Sequence, residues 1–205
     1  MMLSLESLGI VLLGYLLGGF PTAYLVSKWR LGKDIRSVGN RNPGAGNVSR
    51  EVGRLFGVLV FVVDAAKGMI AVFVGQRLGA PDIAVYIAAF VAILGHNFSP
   101  FLKFSGGKGA ATAIGVSALL MWQVTAVAAA VGLVMLALTR HIFWSAGFTL
   151  FAFNALAIIT RQPLGLVMLS IGMTLLIGLT NIIQHRSYLL TALADRDWRH
   201  FLNAD

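Results

Sequence analysis

Six apolar stretches, at 8–26, 55–76, 83–94, 110–138, 142–159 and 164–183, alternate with short polar segments along the whole chain. A helix needs about 20 mainly apolar residues to cross a bilayer. Most of the stretches meet that length, and the third does so if it extends to Phe98. The fourth is uncharged over 29 residues, too long for one upright helix. Split in two, each half would rise about 21 Å, short of the roughly 30 Å hydrocarbon core.

The positions of the cations decide between these choices. Cytoplasmic loops of membrane proteins carry the excess of Lys and Arg. Lys28, Arg30, Lys33, Arg36, Arg41, Arg50 and Arg54 all follow the first stretch, which places that loop inside and the N-terminus outside. Lys103 with Lys108, and later Arg140, also belong inside, so an even number of crossings must separate them. The long stretch is therefore expected to be a hairpin turning near Met121-Trp122-Gln123, with Trp122 as an interfacial anchor. The pattern predicts an all-α, polytopic membrane bundle of seven helices, N-out and C-in, forming one domain over 1–205; the alternative is six spans, with 110–138 as one tilted helix and the tail outside. The opening segment MMLSLES has no Lys or Arg. It lacks the charged region of a cleaved leader, so the first stretch is expected to stay.

Composition sharpens the class. The chain is 58% hydrophobic and 12% charged, with no cysteine, and its mean hydropathy is +0.82. Soluble domains carry about 25% charged residues. These values exclude an ordinary soluble enzyme, a disulfide-built secreted module and a disordered chain. The net charge of +8 can signal nucleic acid, but these cations sit between apolar runs, which points to basic membrane loops and no nucleic-acid partner.

Two polar loops carry the candidate chemistry. The segment 34–50 is dense in Gly, Asn and Arg: Gly39, Asn40, Asn42, Gly44, Ala45 and Asn47 lie among Arg36, Arg41 and Arg50. Gly and Asn tolerate positive φ, which lets successive amides form an anion nest, and Arg forks suit phosphate. A basic loop facing anionic head groups is the alternative. The segment 95–112 contains His96 and the run Gly106-Gly107-Lys108-Gly109 just before an apolar helix, where free amides and a lysine favour an anion. It departs from a Walker A loop at Leu102 and Gly109. Asp64 and Lys67 fall inside a stretch at i, i+3 spacing, so they can form a structural intramembrane pair. His185-Arg186 stands at the last membrane exit. No acidic metal cluster and no Ser/His/Asp spacing is present, so neither a metal site nor a triad is expected.

The order of these segments resembles the bacterial acyl-phosphate-dependent glycerol-3-phosphate acyltransferases of the PlsY type. Gly19-Phe20-Pro21, the run Asp34 to Arg50, Asp64-x-x-Lys67-Gly68, the run Gly95 to Thr112, and Gln184-His185-Arg186 all fall in that family's order, across essentially the whole chain. The resemblance implies transfer of a fatty acyl group from acyl phosphate to the 1-hydroxyl of glycerol 3-phosphate, giving lysophosphatidic acid. It implies no metal, cofactor, acyl-CoA or acyl-carrier protein, and a multi-pass protein of the bacterial cell membrane with cytoplasmic active-site loops. Lys108 and His185 correspond to catalytic positions. Arg50, Gly39, Asn40, Asn42, Gly44, Ala45, Asn47, His96, Gly106, Gly107 and Gly109 correspond to phosphate-binding ones. The chain departs from the family at several polar positions: Gly39-Asn40-Arg41-Asn42 stands where the family has Gly-Ser-Gly-Asn, Gly46 replaces a threonine, Phe143 a serine, and Ser187-Tyr188 a Glu-Asn pair. Two other classes remain open: a divergent member that acts on another phosphorylated alcohol or only binds lipid phosphates, and a small transporter using Asp64 and Lys67.

Overall fold

The computed structural model describes residues 4–184 and Arg186. Regular structure among the described residues is entirely helical. The chain divides between Leu120 and Met121 into two compact units.

The first unit begins with α1 (Leu5–Gly19), whose N-terminus is capped by the Ser4 hydroxyl accepting from Ser7 N at 3.2 Å. The stretch read as one run over 8–26 is broken at Phe20-Pro21, and α2 (Thr22–Leu31) restarts beyond it. The cause is local. A residue before proline is driven out of the helical region, and Phe20 takes φ −55, ψ 124. Hydropathy carries no trace of such a break, because both sides are apolar. Gly32 ends α2 in the left-handed region at φ 68. After a 3₁₀ turn at Ile35–Ser37 come α3 (Ala45–Glu51), α4 (Arg54–Arg77) and α5 (Asp82–Asn97), a second 3₁₀ turn at Pro100–Leu102, and α6 (Ala110–Leu120).

Small residues set how closely these helices approach. Gly14 and Gly18 of α1 face Ala88 and Ala92 of α5, and a Cβ on Gly14 would lie 2.7 Å from Ala88 O. Gly68 of α4 and Gly115 of α6 make the same kind of contact with Thr112 and Ala65. Backbones in contact gain dispersion where lipid supplies no hydrophobic drive between helices. The surface is correspondingly inverted. Leu12, Val58, Val62 and Phe73 are exposed, while Ser7, Asp64, Lys67, Thr112 and Ser117 are buried. Such a distribution suits a hydrocarbon solvent.

The second unit contains α7 (Trp122–Thr139), α8 (Ile142–Ile159) and α9 (Leu164–Gln184). The 110–138 stretch is interrupted at Met121 (φ −144, ψ 54), within the segment where a turn is expected. The halves are unequal, at 11 and 18 residues. A Cβ on Gly132 of α7 would strike Thr149 Oγ1 of α8. Asn154 of α8 donates to Thr174 Oγ1 at 2.7 Å and accepts from Ser170 Oγ at 3.0 Å, a polar seam to α9. Among the described residues five helical segments are long and apolar enough to cross a membrane: Leu5–Leu31, Arg54–Arg77, Asp82–Leu102, Trp122–Thr139 and Leu164–Gln184. Ala110–Leu120 and Trp144–Ile159 are apolar but shorter.

Candidate active site

The first polar loop is packed. Ile35 and Val48 are fully buried with Ala23, Val26 and Val60, and Val38, Val52 and Phe56 close over them. This small core holds the loop against α2 and α4, which a flexible basic strap would not need. Asn47 is 0% exposed. Its Oδ1 accepts from Asn40 N at 3.2 Å, and its Nδ2 donates to Ile35 O at 3.3 Å and Val38 O at 3.0 Å. An amide with both ends engaged fixes the loop's shape. Gly39 (φ 55) is required beside it, since a Cβ would meet Asn47 Oδ1 and lie 2.7 Å from Glu51 Oε1. Asn40 Oδ1 accepts from Asn42 N at 3.2 Å, an Asx-type turn. A serine hydroxyl can form the same kind of turn, more weakly. Gly44 and Ala45 begin α3, and the exposed Arg50 stands near its end. The buried Asn42 Oδ1 has no hydrogen-bond partner among the described residues.

Arg36 joins the two loops. Its guanidinium grips Asp34 at 2.7–3.1 Å and donates from Nη1 to Leu102 O at 2.8 Å. Hydrogen bonds from Arg36 hold the Asp34 carboxyl below its ordinary range, and Asp34 holds the guanidinium above its own. The fork read from sequence as suited to phosphate is thus occupied by protein.

The second loop also differs from a free nest. Gly106 N donates to Asn97 O and Gly107 N to His96 O, each at 3.0 Å. These amides close onto the C-terminal carbonyls of α5. The glycines are needed for space: a Cβ on Gly106 would strike His96 O, and one on Gly107 would strike the His96 ring. Lys108 is half-buried, and Gly109 follows at φ 81, its Cβ position 2.7 Å from Ile93 Cγ2. Helix α6 begins at Ala110, so Lys108 stands where the helix's exposed amides and dipole favour negative charge.

Beneath this loop lies a buried polar cluster. Lys67 Nζ is 2.6 Å from Asp64 Oδ1, and both side chains are almost fully buried. Lys67 also donates to Phe20 O at the α1–α2 break. His96 Nδ1 lies 4.0 Å from Asp64 Oδ1. A small cleft runs over the cluster and is lined by Phe20, Thr22, Pro43, Lys67, His96 and Gly107, among others. Pro43 from the first loop and Gly107 from the second therefore share one cleft.

Sequence reasoning overlooked three contributors: Ser99, which donates to Gly19 O at 2.5 Å, Tyr15, which donates to Phe98 O at 2.8 Å, and the buried Thr22 hydroxyl. Tyr15 and Thr22 sit inside an apolar run and left no signal there. His185, Ser187 and Tyr188 lie outside the described residues, as does the side chain of Phe143. Among the described residues no group of three or more His, Cys, Asp or Glu could hold a metal ion.

Residues 8–194 match the family described as glycerol-3-phosphate acyltransferase. Over 177 residues the chain is 41% identical to glycerol-3-phosphate acyltransferase 4 of Dehalococcoides mccartyi, covering 86% of this chain and 95% of the relative. It is 42% identical to a glycerol-3-phosphate acyltransferase of a Synechococcus species, over 78% of this chain and 80% of the relative. Two crystal structures of PlsY, an integral membrane glycerol 3-phosphate acyltransferase, are similar in fold. Its glycerol 3-phosphate form superposes with a TM-score of 0.81 at 28% identity, over 94% of both chains. Its lysophosphatidic acid form gives 0.78 at 27% identity, over 94% of this chain and 93% of that one.

Proposed function

This chain belongs to the glycerol-3-phosphate acyltransferase family, and from that premise we propose the donor, the residue roles and the topology of its reaction. The protein is an integral membrane acyltransferase that acylates glycerol 3-phosphate. Its donor is an acyl phosphate, with no part for acyl-CoA, an acyl-carrier protein or a metal. The 1-hydroxyl oxygen of glycerol 3-phosphate attacks the acyl carbonyl carbon. The bond from that carbon to the phosphate oxygen breaks, inorganic phosphate leaves, and the hydroxyl proton passes to the departing phosphate. The products are lysophosphatidic acid and phosphate.

In this reading Lys108, at the start of α6, stabilises the charge on the departing phosphate. Gly106, Gly107 and Gly109 allow the chain to present it there. Gly39, Asn40, Asn42, Gly44, Ala45 and Asn47 shape the first loop, and Arg50 holds the acceptor's phosphate. His185 is assigned to that phosphate by the family resemblance. Residues 1–205 act as one catalytic domain with seven membrane helices, N-out and C-in, in a bacterial cell membrane, with both loops cytoplasmic.

One observation carries the reading. The glycine loop bearing Lys108 and the Gly/Asn loop that leads into α3, the helix of Arg50, are bound to each other through Arg36 and Leu102, and each lends a residue, Gly107 and Pro43, to one cleft. Transfer between two phosphorylated substrates needs two anion-holding loops side by side. The test is acceptor dependence. Purified protein in detergent should release inorganic phosphate from palmitoyl phosphate only when glycerol 3-phosphate is present. Equal release without the acceptor would make it a hydrolase and contradict the reading.

A further inference from the structure

A buried ion pair that satisfies itself needs no third partner, and its replacement by apolar residues is often neutral. The pair in α4 does have further partners. Lys67 Nζ also donates to the Phe20 carbonyl, at the break between α1 and α2. Asp64 Oδ1 also faces His96 Nδ1 at 4.0 Å. His96, only 8% exposed, lies directly under the glycine loop. Its carbonyl accepts from Gly107 N at 3.0 Å, and its ring Nε2 stands where a Cβ on Gly107 would project. Segments distant in the chain are therefore linked in series: the helix break, the ion pair, the end of α5 and the loop that carries Lys108.

We propose that His96 is a positioning residue, a wedge beneath Gly107 held by the Asp64–Lys67 pair, and that the wedge sets where Lys108 meets the donor's phosphate. This deepens the reading of Gly106-Gly107-Lys108-Gly109 as the donor-phosphate loop and rests on it. The wedge needs the volume of the ring and its anchorage, and needs no contact between His96 and substrate. It also explains why position 107 is glycine although its φ is not positive: the ring occupies the space of a side chain. The ion pair supplies a fixed, buried seat for the ring, and Phe20 ties that seat to the α1–α2 break. Loop placement matters at this scale because a shift of about 1 Å at a reacting group costs on the order of a hundredfold in rate.

A double-mutant cycle on the full chain in detergent tests the wedge. Gly107→Ala sets a methyl against the ring and should lower kcat about a hundredfold, with acceptor KM unchanged within about threefold, as for an interaction made in the transition state. Removing the ring restores the space, so His96→Ala/Gly107→Ala should turn over about tenfold faster than Gly107→Ala alone. Thermal unfolding should show the same coupling: Gly107→Ala lowers Tm in the parent and leaves it unchanged in the His96→Ala background. A double variant as slow as Gly107→Ala, or Tm shifts that add, would overturn the wedge. A His96→Ala variant with raised substrate KM and parental kcat would put His96 on the substrate and overturn positioning. The Tm cycle needs no turnover, so a failed donor reading shows in the parent's activity and a failed wedge shows in the cycle. For the seat, Asp64→Asn/Lys67→Met leaves no buried charge alone and should unfold near the parental Tm. Its kcat should still fall about tenfold as the loop loses its placement, and a parental kcat would remove the pair from the device.

Discussion

Lys108 stands half-buried one residue before Gly109, whose positive φ turns the chain into α6. Its backbone is set by its neighbours, so the side chain can be removed without disturbing the packed helices. Lys108→Ala should lower kcat about a hundredfold or more, the usual cost of losing a preorganised charge contact, while Tm stays within a few degrees. Steady-state phosphate release with parallel thermal unfolding measures both, and activity within about threefold of the parent would take Lys108 out of the chemistry. Residue types and spacing made part of this site legible. The i, i+3 spacing of Asp64 and Lys67 implied their meeting, and Gly-Gly-Lys-Gly before an apolar run implied a loop feeding a helix. What Gly106 and Gly107 do with their amides was not legible. Those amides bond to carbonyls of His96 and Asn97, and backbone carbonyls are the same in every sequence. Arg36 hid its role for a similar reason, since its partners include Leu102 O.

The approach of α1 to α5 is set by missing side chains. A Cβ on Gly18 would run into the Ala92 carbonyl, which belongs to backbone and cannot swing aside. Gly18→Val should therefore force the two helices apart and cost about 1–3 kcal/mol, the usual range for overpacking. Gly9, on the same helix with nothing within 4 Å of its Cβ position, provides the control, and Gly9→Val should leave the unfolding midpoint nearly unchanged. Equal shifts for both would mean that the glycines of α1 act through helix propensity rather than contact. At this scale apolar length located α4, α8 and α9 to within a residue or so, because each is bounded by polar or turn residues. It failed at Phe20-Pro21, where apolar residues flank the break, and the 16-residue α5 was recovered only by extending its apolar run past Leu94. A polar, buried end such as His96-Asn97 looks like loop to hydropathy, although it packs as helix.

For the whole molecule, the distribution of cations predicts topology and the absence of cysteine makes it testable. Single cysteines at Ser49 and Ser105 should label only from the cytoplasmic side, and one at Gln162 only from outside. Outside labelling at Ser105 would overturn the charge-based orientation. The inverted surface, with Leu12, Val58 and Phe73 outward and Asp64, Lys67 and Ser117 inward, was legible as a membrane class from composition alone. The joining of the two loops was not, because it depends on Arg36 reaching Leu102 O across 66 residues of chain and on Pro43 and Gly107 lining one cleft.

The donor decides which bond the enzyme breaks. Gly106, Gly107 and Gly109 flank Lys108 just before α6, where a helix's free amides favour one anion. An acyl phosphate can place its head there and its chain among lipids, where burial contributes about 0.8 kcal/mol per CH₂. A CoA thioester would need a further site for its adenine nucleotide. The direct measurement is lysophosphatidic acid formation by purified protein supplied with glycerol 3-phosphate and either palmitoyl phosphate or palmitoyl-CoA at equal concentration. Product is expected from palmitoyl phosphate and none from palmitoyl-CoA; product from the CoA thioester alone would overturn the acyl-phosphate donor.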